Sequence, residues 1–248
     1  MSMSYILLTG LMAAAFAAIH LFIGKIAHFE RTPRNGWLSF AGGVAVAYVF
    51  LNVLPELGAH GETFADSLDA RAERAEVWVY GLALAGLSLF YGLERAVKGS
   101  QEDRRASSSR MSDRVLLAHV ASFATLNLII GYLLVHREDP TLPGLSLYFV
   151  AMALHFATAD FGMRSDHRDA YDRLGRWIIA VAVLAGWAVG LLVELPKIAI
   201  GCLFAFVAGG VVLNVMKEEL PEDRKSRFLP FALGVLAYGA LVFGKTMI

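Results

Sequence analysis

A chain of 248 residues with 57% hydrophobic and only 18% charged side chains does not have the composition of a soluble domain, and its mean hydropathy of +0.56 favours a membrane protein. Lys and Arg balance Asp and Glu at 22 each, so there is no net positive charge to attract nucleic acid. Cys202 is the only cysteine, which excludes an internal disulfide and a cysteine cluster that binds zinc or iron and sulfur.

Eight apolar stretches follow one another along the chain. Each is close to the roughly 20 residues that a helix needs to cross about 30 Å of hydrocarbon. The first is too long for a signal peptide and lacks a basic start, so we interpret it as an uncleaved helix. The sequence therefore predicts an all-α, polytopic membrane protein with eight transmembrane helices, at residues 4–28, 36–57, 76–93, 115–136, 144–163, 177–193, 198–216 and 228–244.

Lys and Arg are distributed unevenly over the connections between these stretches. The connections after the first, third, fifth and seventh stretches carry 3, 6, 4 and 4 of them, counting Lys25 near the end of the first stretch, whereas the other three carry 2, 1 and 1. Basic residues near helix ends stay on the cytoplasmic side of a membrane. The alternation therefore predicts a protein of the plasma, or inner, membrane with both termini on the outer side.

The longest polar segment runs from Glu94 to Arg114 and contains QEDRRASSSR. Its mixed charges and its serine run are typical of a flexible linker, which we place at residues 99–114 on the cytoplasmic side. The chain is thus predicted to be a single transmembrane domain, residues 1–248. The linker separates three helices in residues 1–98 from five helices in residues 115–248.

Two of the apolar stretches end in similar sequences, FLNVLPEL in the second and VLNVMKEELPE in the seventh. In both, an Asn precedes a Glu by four residues, at Asn52 and Glu56 and at Asn214 and Glu218, so that each pair lies on one helix face. If stretches 1–3 correspond to stretches 6–8, the two units begin on opposite sides of the membrane. They would form an inverted repeat, which is common in secondary transporters. Chance similarity between two helix ends is the alternative.

The segment SFAGGVAVAYVFLNVLPEL resembles the second helix of the ZIP family of divalent metal transporters, and FAFVAGGVVLNVMKEELPEDRKSRFLPFALGVLAYGALVF resembles the last two helices of that family. Eight spans, outer termini and a longer cytoplasmic loop after the third span are also the family's layout. The resemblance implies a 3+2+3 inverted-repeat bundle that transports a divalent ion such as zinc, iron or manganese. It implies no tightly bound cofactor and a metal path between spans 2, 4, 5 and 7.

The fourth span departs from the family pattern. The family has a His-Asn-x-x-carboxylate-Gly pattern there, and the best match in this chain runs from Leu126 to Gly131. Asn127 and Gly131 are kept, whereas Leu126 replaces the His and Ile130 replaces the carboxylate.

The fifth span keeps only part of the pattern as well. His155 matches the family's His, Ala159 stands where the family has an acidic residue or a second His, and Asp160 follows one position later. Zinc and similar cations need several nitrogen and oxygen ligands within about 2.0 to 2.2 Å. The chain therefore lacks the family's usual pair of metal sites.

The remaining polar residues can be placed by depth. At a rise of about 1.5 Å per residue, Asn127 and His155 fall near the middle of the membrane, and His119 and Asp160 fall at similar depths on its cytoplasmic side. Ionisable groups inside a span are costly and need a partner or a function. We expect His155, Asp160 and Asn127 to line a metal path, assisted by the residues His119, Asn52 and Asn214.

Three alternatives remain open for these residues. The first is purely structural, with His119 paired to Asp160 as a contact between helices. The second is haem ligation by two of the residues His20, His119 and His155, which would give a Soret band. In the third, the chain keeps the ZIP fold but has lost transport, and it serves an interaction or sensory role.

Other polar residues are assigned no role in the path. His20 is expected to be structural, and Glu56 and Glu218 are expected to be interfacial charges or else gate ligands at the two ends of the path. His60 and Glu62 are expected to be solvated loop residues, as are the three residues His28, Glu30 and His167. Motifs of hydrolases, metalloproteases, nucleotide-binding loops and dinucleotide enzymes are absent from the sequence, so we do not expect an enzyme. The expected partners are the metal ion and the lipid bilayer, with a homodimer as the candidate assembly.

Overall fold

The computed structural model describes residues 2–26, 36–68, 72–104, 111–166, 168–219 and 227–247, and these residues contain no β-strand. Three helices contain a π-helical turn, at Val49–Val53, Tyr171–Gly175 and Val215–Glu219. The α-helices are α1 (Met3–Ile26), α2 (Gly36–Tyr48), α3 (Leu54–Leu68), α4 (Ala72–Arg104), α5 (Met111–Val135), α6 (Leu142–Asp166), α7 (Arg168–Ala170), α8 (Arg176–Leu192), α9 (Lys197–Asn214) and α10 (Phe228–Thr246).

The helices confirm an integral membrane protein. Seven of those in the described ranges are long and apolar enough to cross a bilayer. The predicted fourth span is part of α5, a helix of 25 residues whose apolar part, His119–Val135, is shorter than the other seven.

Several helices extend beyond the predicted stretches. The second span continues through the π-helical turn into α3 and ends at Leu68, and α4 continues to Arg104. Part of the predicted linker is therefore helical, since α4 includes residues 99–104 and α5 begins at Met111; residues 105–110 lie outside the described residues. The linker prediction failed there because Glu, Arg and Gln favour a helix even where the segment is too polar for the membrane.

Glycines bring three pairs of helices into close contact. Gly43 of α2 lies against the Phe231 carbonyl of α10, where an added Cβ would overlap the oxygen, and Gly209 of α9 lies in the same way against the Ala83 carbonyl of α4. Gly131 of α5 lies against α8. The glycines at 43 and 209 thus allow close helix approach, as small residues do in membrane bundles.

Gly209→Ala is expected to destabilise the bundle, because its methyl group would overlap the backbone of α4 and the helices would have to separate. Overpacking of this kind costs about 1–3 kcal/mol. Gly81→Ala is the matched control, since nothing lies within 4 Å of an added Cβ at Gly81 and alanine favours the helix. Thermal unfolding in detergent measures both; equal midpoints would contradict the role of the crossing.

Both termini lie at one end of the bundle, which we call the terminal face. The hydroxyl of Tyr5 at the start of α1 donates to the Val135 carbonyl at 3.1 Å, and Lys245 at the end of α10 pairs with Asp139. The other end, which we call the opposite face, carries the Arg164–Asp172 pair, with a nitrogen-to-oxygen distance of 2.8 Å.

Candidate functional site

A buried histidine and a buried aspartate form a hydrogen-bonded contact between α1 and α6 inside the bundle. His20 Nδ1 lies 2.6 Å from Asp160 Oδ2, and both side chains are almost completely buried, at 1% and 2% exposure. The Tyr171 hydroxyl donates to the His20 carbonyl at 3.2 Å, so the π-helical turn before α8 closes the site. A histidine and a carboxylate at this distance share a hydrogen bond, and each side chain is the polar partner that the other requires inside a membrane.

The structural alternative paired Asp160 with His119, but Asp160 has a different partner in the structure. Asp160 pairs with His20 of α1, not with His119. Successive residues of a helix point about 100° apart. Ala159 lies on the side of α6 that faces the cavity with His119. Asp160, the next residue, therefore points in another direction, toward α1.

His119 and Asn214 line a small cavity near the opposite face, between α4, α5, α6 and α9. The volume that the centre of a water molecule can occupy in this cavity is about 20 Å³, which is enough for one or two water molecules or an ion. The walls include the apolar residues Phe90, Phe123, Ala159 and Met163 together with the polar residues Glu94, Ser122 and Lys217. The cavity brings together two of the sequence candidates.

The cavity also holds a charged pair that sequence analysis missed. Lys217 Nζ lies 2.7 Å from Glu94 Oε1, and the Glu94 side chain is only 14% exposed. Both residues stood at predicted helix ends, where solvated charges are the default. Only the contact of α4 with α9, made close by Gly86 and Gly209, brings the two charges together.

Asn127 and His155 are both buried, at 3% and 4% exposure, and each has an unsatisfied polar atom. The Asn127 amide donates to the Phe123 carbonyl at 2.9 Å, while its Oδ1 has no hydrogen-bond partner, and neither has His155 Nδ1. Buried polar atoms without partners cost free energy and are rare. Both are lone-pair donors that a cation could use.

The positions that depart from the ZIP pattern also face the interior. Leu126 and Ile130 are buried, and Leu126 lies against Gly210 of α9, while Ala159 is part of the cavity wall. Apolar side chains therefore occupy interior positions at which the family carries ligands. Helices α5 and α6 touch each other little and face each other across the cavity, rather than pairing as neighbours.

Asn52 forms a hydrogen bond with a residue of α10. Its Oδ1 accepts a hydrogen bond from the Tyr238 hydroxyl at 2.9 Å, so its amide links the π-helical turn of the second span to α10. The turn at Val215–Glu219 directly follows Asn214. Both asparagines thus stand at π-helical turns, which are frequent at functional sites.

A buried ion pair lies at the terminal face. Arg137 Nη2 is 2.8 Å from Glu56 Oε2, with side chains 8% and 11% exposed, and the guanidinium lies 4.3 Å from the centre of the Tyr148 ring. Burial alone would lower the pKa of Arg137, but the Glu56 carboxylate raises it above its ordinary value. Glu56 is therefore the partner of a buried arginine, which the spacing of residues 56 and 137 could not indicate.

His60 was expected to be a solvated loop residue, and this was wrong. It lies on the extension of the second span, is 2% exposed, and packs against Phe204 with the ring centres 4.9 Å apart. Glu62 on the same helix is exposed, as predicted. The predictions for His28, Glu30 and His167 fall outside the described residues, as does the side chain of Glu218.

Within the described ranges, His, Cys, Asp and Glu side chains do not gather in groups of three that could hold a metal ion. The buried polar side chains described above occur instead as pairs or as single lone-pair donors. Neither a model of a known protein family nor a curated protein matches this chain.

Proposed function

We propose that this chain is a divergent relative of the ZIP family and transports a divalent metal ion across the plasma membrane. The observation that carries the proposal is the sequence of polar groups through the bundle. It passes from the cavity with His119 and Asn214 to the unsatisfied atoms of Asn127 and His155 and the buried Asp160. Such groups are costly within a span and mark ion pathways.

Symmetry between helix crossings supports the 3+2+3 arrangement of an inverted repeat. In an inverted repeat of spans 1–3 and spans 6–8, α2 corresponds to α9, and α4 corresponds to α10. The contact of α2 with α10 therefore corresponds to the contact of α9 with α4. Gly234 lies against the Phe40 carbonyl in the first crossing, and Gly86 lies against the Phe206 carbonyl in the second. Phe40 and Phe206 are 166 residues apart (206 − 40), and Gly43 and Gly209 are also 166 apart (209 − 43).

The same separation relates the two π-helical turns, which begin at Val49 and Val215 (215 − 49 = 166). It also aligns Leu-Pro-Glu at 54–56 with Leu-Pro-Glu at 220–222. This alignment of the two halves of the chain is shifted by four residues from the alignment that matches Asn52 with Asn214. A repeat in this register supports a transporter architecture, since spans of opposite orientation provide the two access states.

Uptake by metal-starved cells tests the proposal. Cells that express the chain should accumulate at least one of zinc, iron, manganese and cobalt faster than cells with an empty vector. Titration of the detergent-solubilised protein with zinc, iron and manganese should show binding of the transported ion. Uptake equal to that of the vector control for all four metals would defeat the transport function.

A ZIP-like protein without transport, with an interaction or sensory role, is the second candidate. The specific observation in its favour is that Leu126 and Ile130 fill interior positions with apolar side chains. Apolar side chains offer no lone pair to a cation, so a binding site there would be weakened or lost. The uptake measurement separates the two candidates.

The proposed orientation places the terminal face outside the cell. Cys introduced at Thr141, an exposed residue next to that face, should react with an impermeant thiol reagent in intact cells. Cys introduced at Ser107 in the predicted cytoplasmic linker should be protected until the cells are opened. Cys202 is replaced beforehand to remove background. The reverse labelling pattern would overturn the orientation.

A further inference from the structure

Two ion pairs link the connection between α5 and α6 to its neighbours at the terminal face. Arg137 Nη2 of this connection lies 2.8 Å from Glu56 Oε2 of α3, and both side chains are about nine-tenths buried. Asp139 of the same connection pairs with Lys245 near the end of α10, and these two side chains are about one-third exposed. Exposed pairs contribute little to stability. The buried pair therefore does most to hold the connection in place.

Three tyrosine rings lie below the buried pair and fill the space between α2, α6 and α10. Tyr48 lies edge-on to Tyr148 and to Tyr238, with ring centres 6.4 Å and 6.2 Å apart. All three side chains are buried. The Arg137 guanidinium lies 4.3 Å from the centre of the Tyr148 ring, so the pair rests directly on these rings. We call the three rings the tyrosine layer.

The tyrosine layer separates the terminal face from the proposed metal path. His155 follows Tyr148 by seven residues on α6, so both lie on one helix face, about 10 Å apart along the axis. Met152 lies between them on that face and is buried. The cavity with His119 and Asn214, by contrast, is near the opposite face. The proposed path is therefore covered at the terminal face by the tyrosine layer and the buried pair.

A face that stayed closed would not need charges. Replacing a buried ion pair with apolar residues of similar volume is often neutral or stabilising, so the pair offers little advantage as a permanent plug. Charges differ from apolar side chains because water hydrates them when they separate. Hydration offsets much of the lost attraction, whereas an apolar plug would expose its surface to water at each opening. A buried ion pair close to the surface is therefore suited to a contact that opens and closes.

We propose that the Arg137–Glu56 pair is the latch of an outer gate, intact when the path is closed to the terminal face and separated when the path opens to that face. Glu56 belongs to the first three spans and Arg137 to the connection of the middle two, so the latch joins two units of the proposed 3+2+3 arrangement. The gate rests on the proposed transport, since alternating access requires each end of the path to close in turn.

Access of a thiol reagent to α6 behind the tyrosine layer tests the gate without any transport. Met152→Cys is the reporter, in a chain with Cys202 replaced, and an impermeant reagent is applied from the side that labels Cys at Thr141. Glu56→Gln should accelerate labelling at least about tenfold, because the closed state then buries Arg137 without a counterion while the open state hydrates it. Adding Arg137→Met should slow the labelling again, since neither charge remains.

Two controls separate gate opening from loss of structure. Lys245→Met breaks the exposed pair on the same connection and should not accelerate labelling of the Met152→Cys reporter. Val183→Cys is a comparably buried reporter on α8, a helix to which the path assigns no residue, and it should stay unlabelled in Glu56→Gln. Unchanged labelling of Met152→Cys in Glu56→Gln would overturn the latch. Labelling that rises equally at both reporters would also overturn it, since this result indicates unfolding.

A reversible cross-link tests the latch in the transporting protein, even if Glu56→Gln is unstable. In Glu56→Cys, Arg137→Cys no uncompensated charge remains, and a bifunctional methanethiosulfonate reagent joins the two thiols until reductant is added. Metal uptake by vesicles should be lost while the link is present and should return after reduction. A monofunctional reagent of the same chemistry is the control and should inhibit uptake less.

Equal uptake by the linked and unlinked chains, or equal inhibition by the two reagents, would overturn the gate. Wild-type vesicles that take up none of zinc, iron and manganese would defeat the transport proposal instead. The labelling of Met152→Cys would still decide whether the terminal face opens when the buried pair is broken.

Discussion

His155→Ala is expected to reduce metal uptake by at least about 10- to 100-fold, the loss that follows even when a secondary partner of a metal ligand is removed. The imidazole is buried in the bundle, and its Nδ1 has no hydrogen-bond partner, so it is available as a lone-pair donor. Alanine removes this donor and leaves an apolar wall. Uptake of the transported ion into metal-starved cells, corrected for the amount of protein in the membrane, measures the effect.

His60→Ala is the matched control for this variant. His60 is as deeply buried as His155, but it packs against Phe204 near the terminal face, away from the proposed path. Its substitution should cost stability without lowering the uptake per molecule of folded protein. Equal losses in the two variants would show that burial, not metal ligation, explains the effect at His155.

Arg137→Met is expected to lower the free energy of unfolding by about 3–5 kcal/mol, because it leaves the buried Glu56 carboxylate without its partner. The pair is at 2.8 Å with both side chains about nine-tenths buried, and the guanidinium also stacks on Tyr148. The double variant Glu56→Gln, Arg137→Met should recover much of the loss, since no uncompensated charge remains. Denaturant unfolding in detergent measures the single and double variants.

Arg173→Met provides the comparison for this cycle, since Arg173 is exposed and its loss should change stability little. Additive effects of the Glu56 and Arg137 substitutions would mean that the two charges do not stabilise each other. The coupling energy from this double-mutant cycle is the measure of the Glu56–Arg137 interaction, because either substitution alone also changes other local contacts.

The membrane-spanning segments were predictable because burial in lipid imposes a pattern that each helix carries in its own sequence. The predicted sixth stretch, residues 177–193, corresponds to α8 at Arg176–Leu192 with a shift of one residue at each end. Segment ends were less predictable where polar residues favour a helix beyond the membrane, as in α4 up to Arg104. The helices that Gly43 and Gly209 contact could not be predicted from the sequence.

Rotation about the helix axis could not be predicted from the sequence. His119 and Asp160 were expected at similar depths, and the alternative in which they pair does not hold because Asp160 faces α1. The contact of His20 with Asp160 could not be predicted, because a single histidine near a helix end has no distinguishing pattern. Glu94 and Lys217 were missed for the same reason, since 123 residues separate them (217 − 94).

The sequence by itself determined that this is an integral membrane protein built of helices and which polar groups fall within the apolar stretches. These properties depend on transfer from water to lipid and on helix geometry, which act on each segment separately. The tertiary structure alone decided that His20 holds Asp160, that Arg137 holds Glu56, and that His119 and Asn214 share a cavity. Each of these contacts joins residues of different helices, whose relative rotation is set by contacts of the whole bundle.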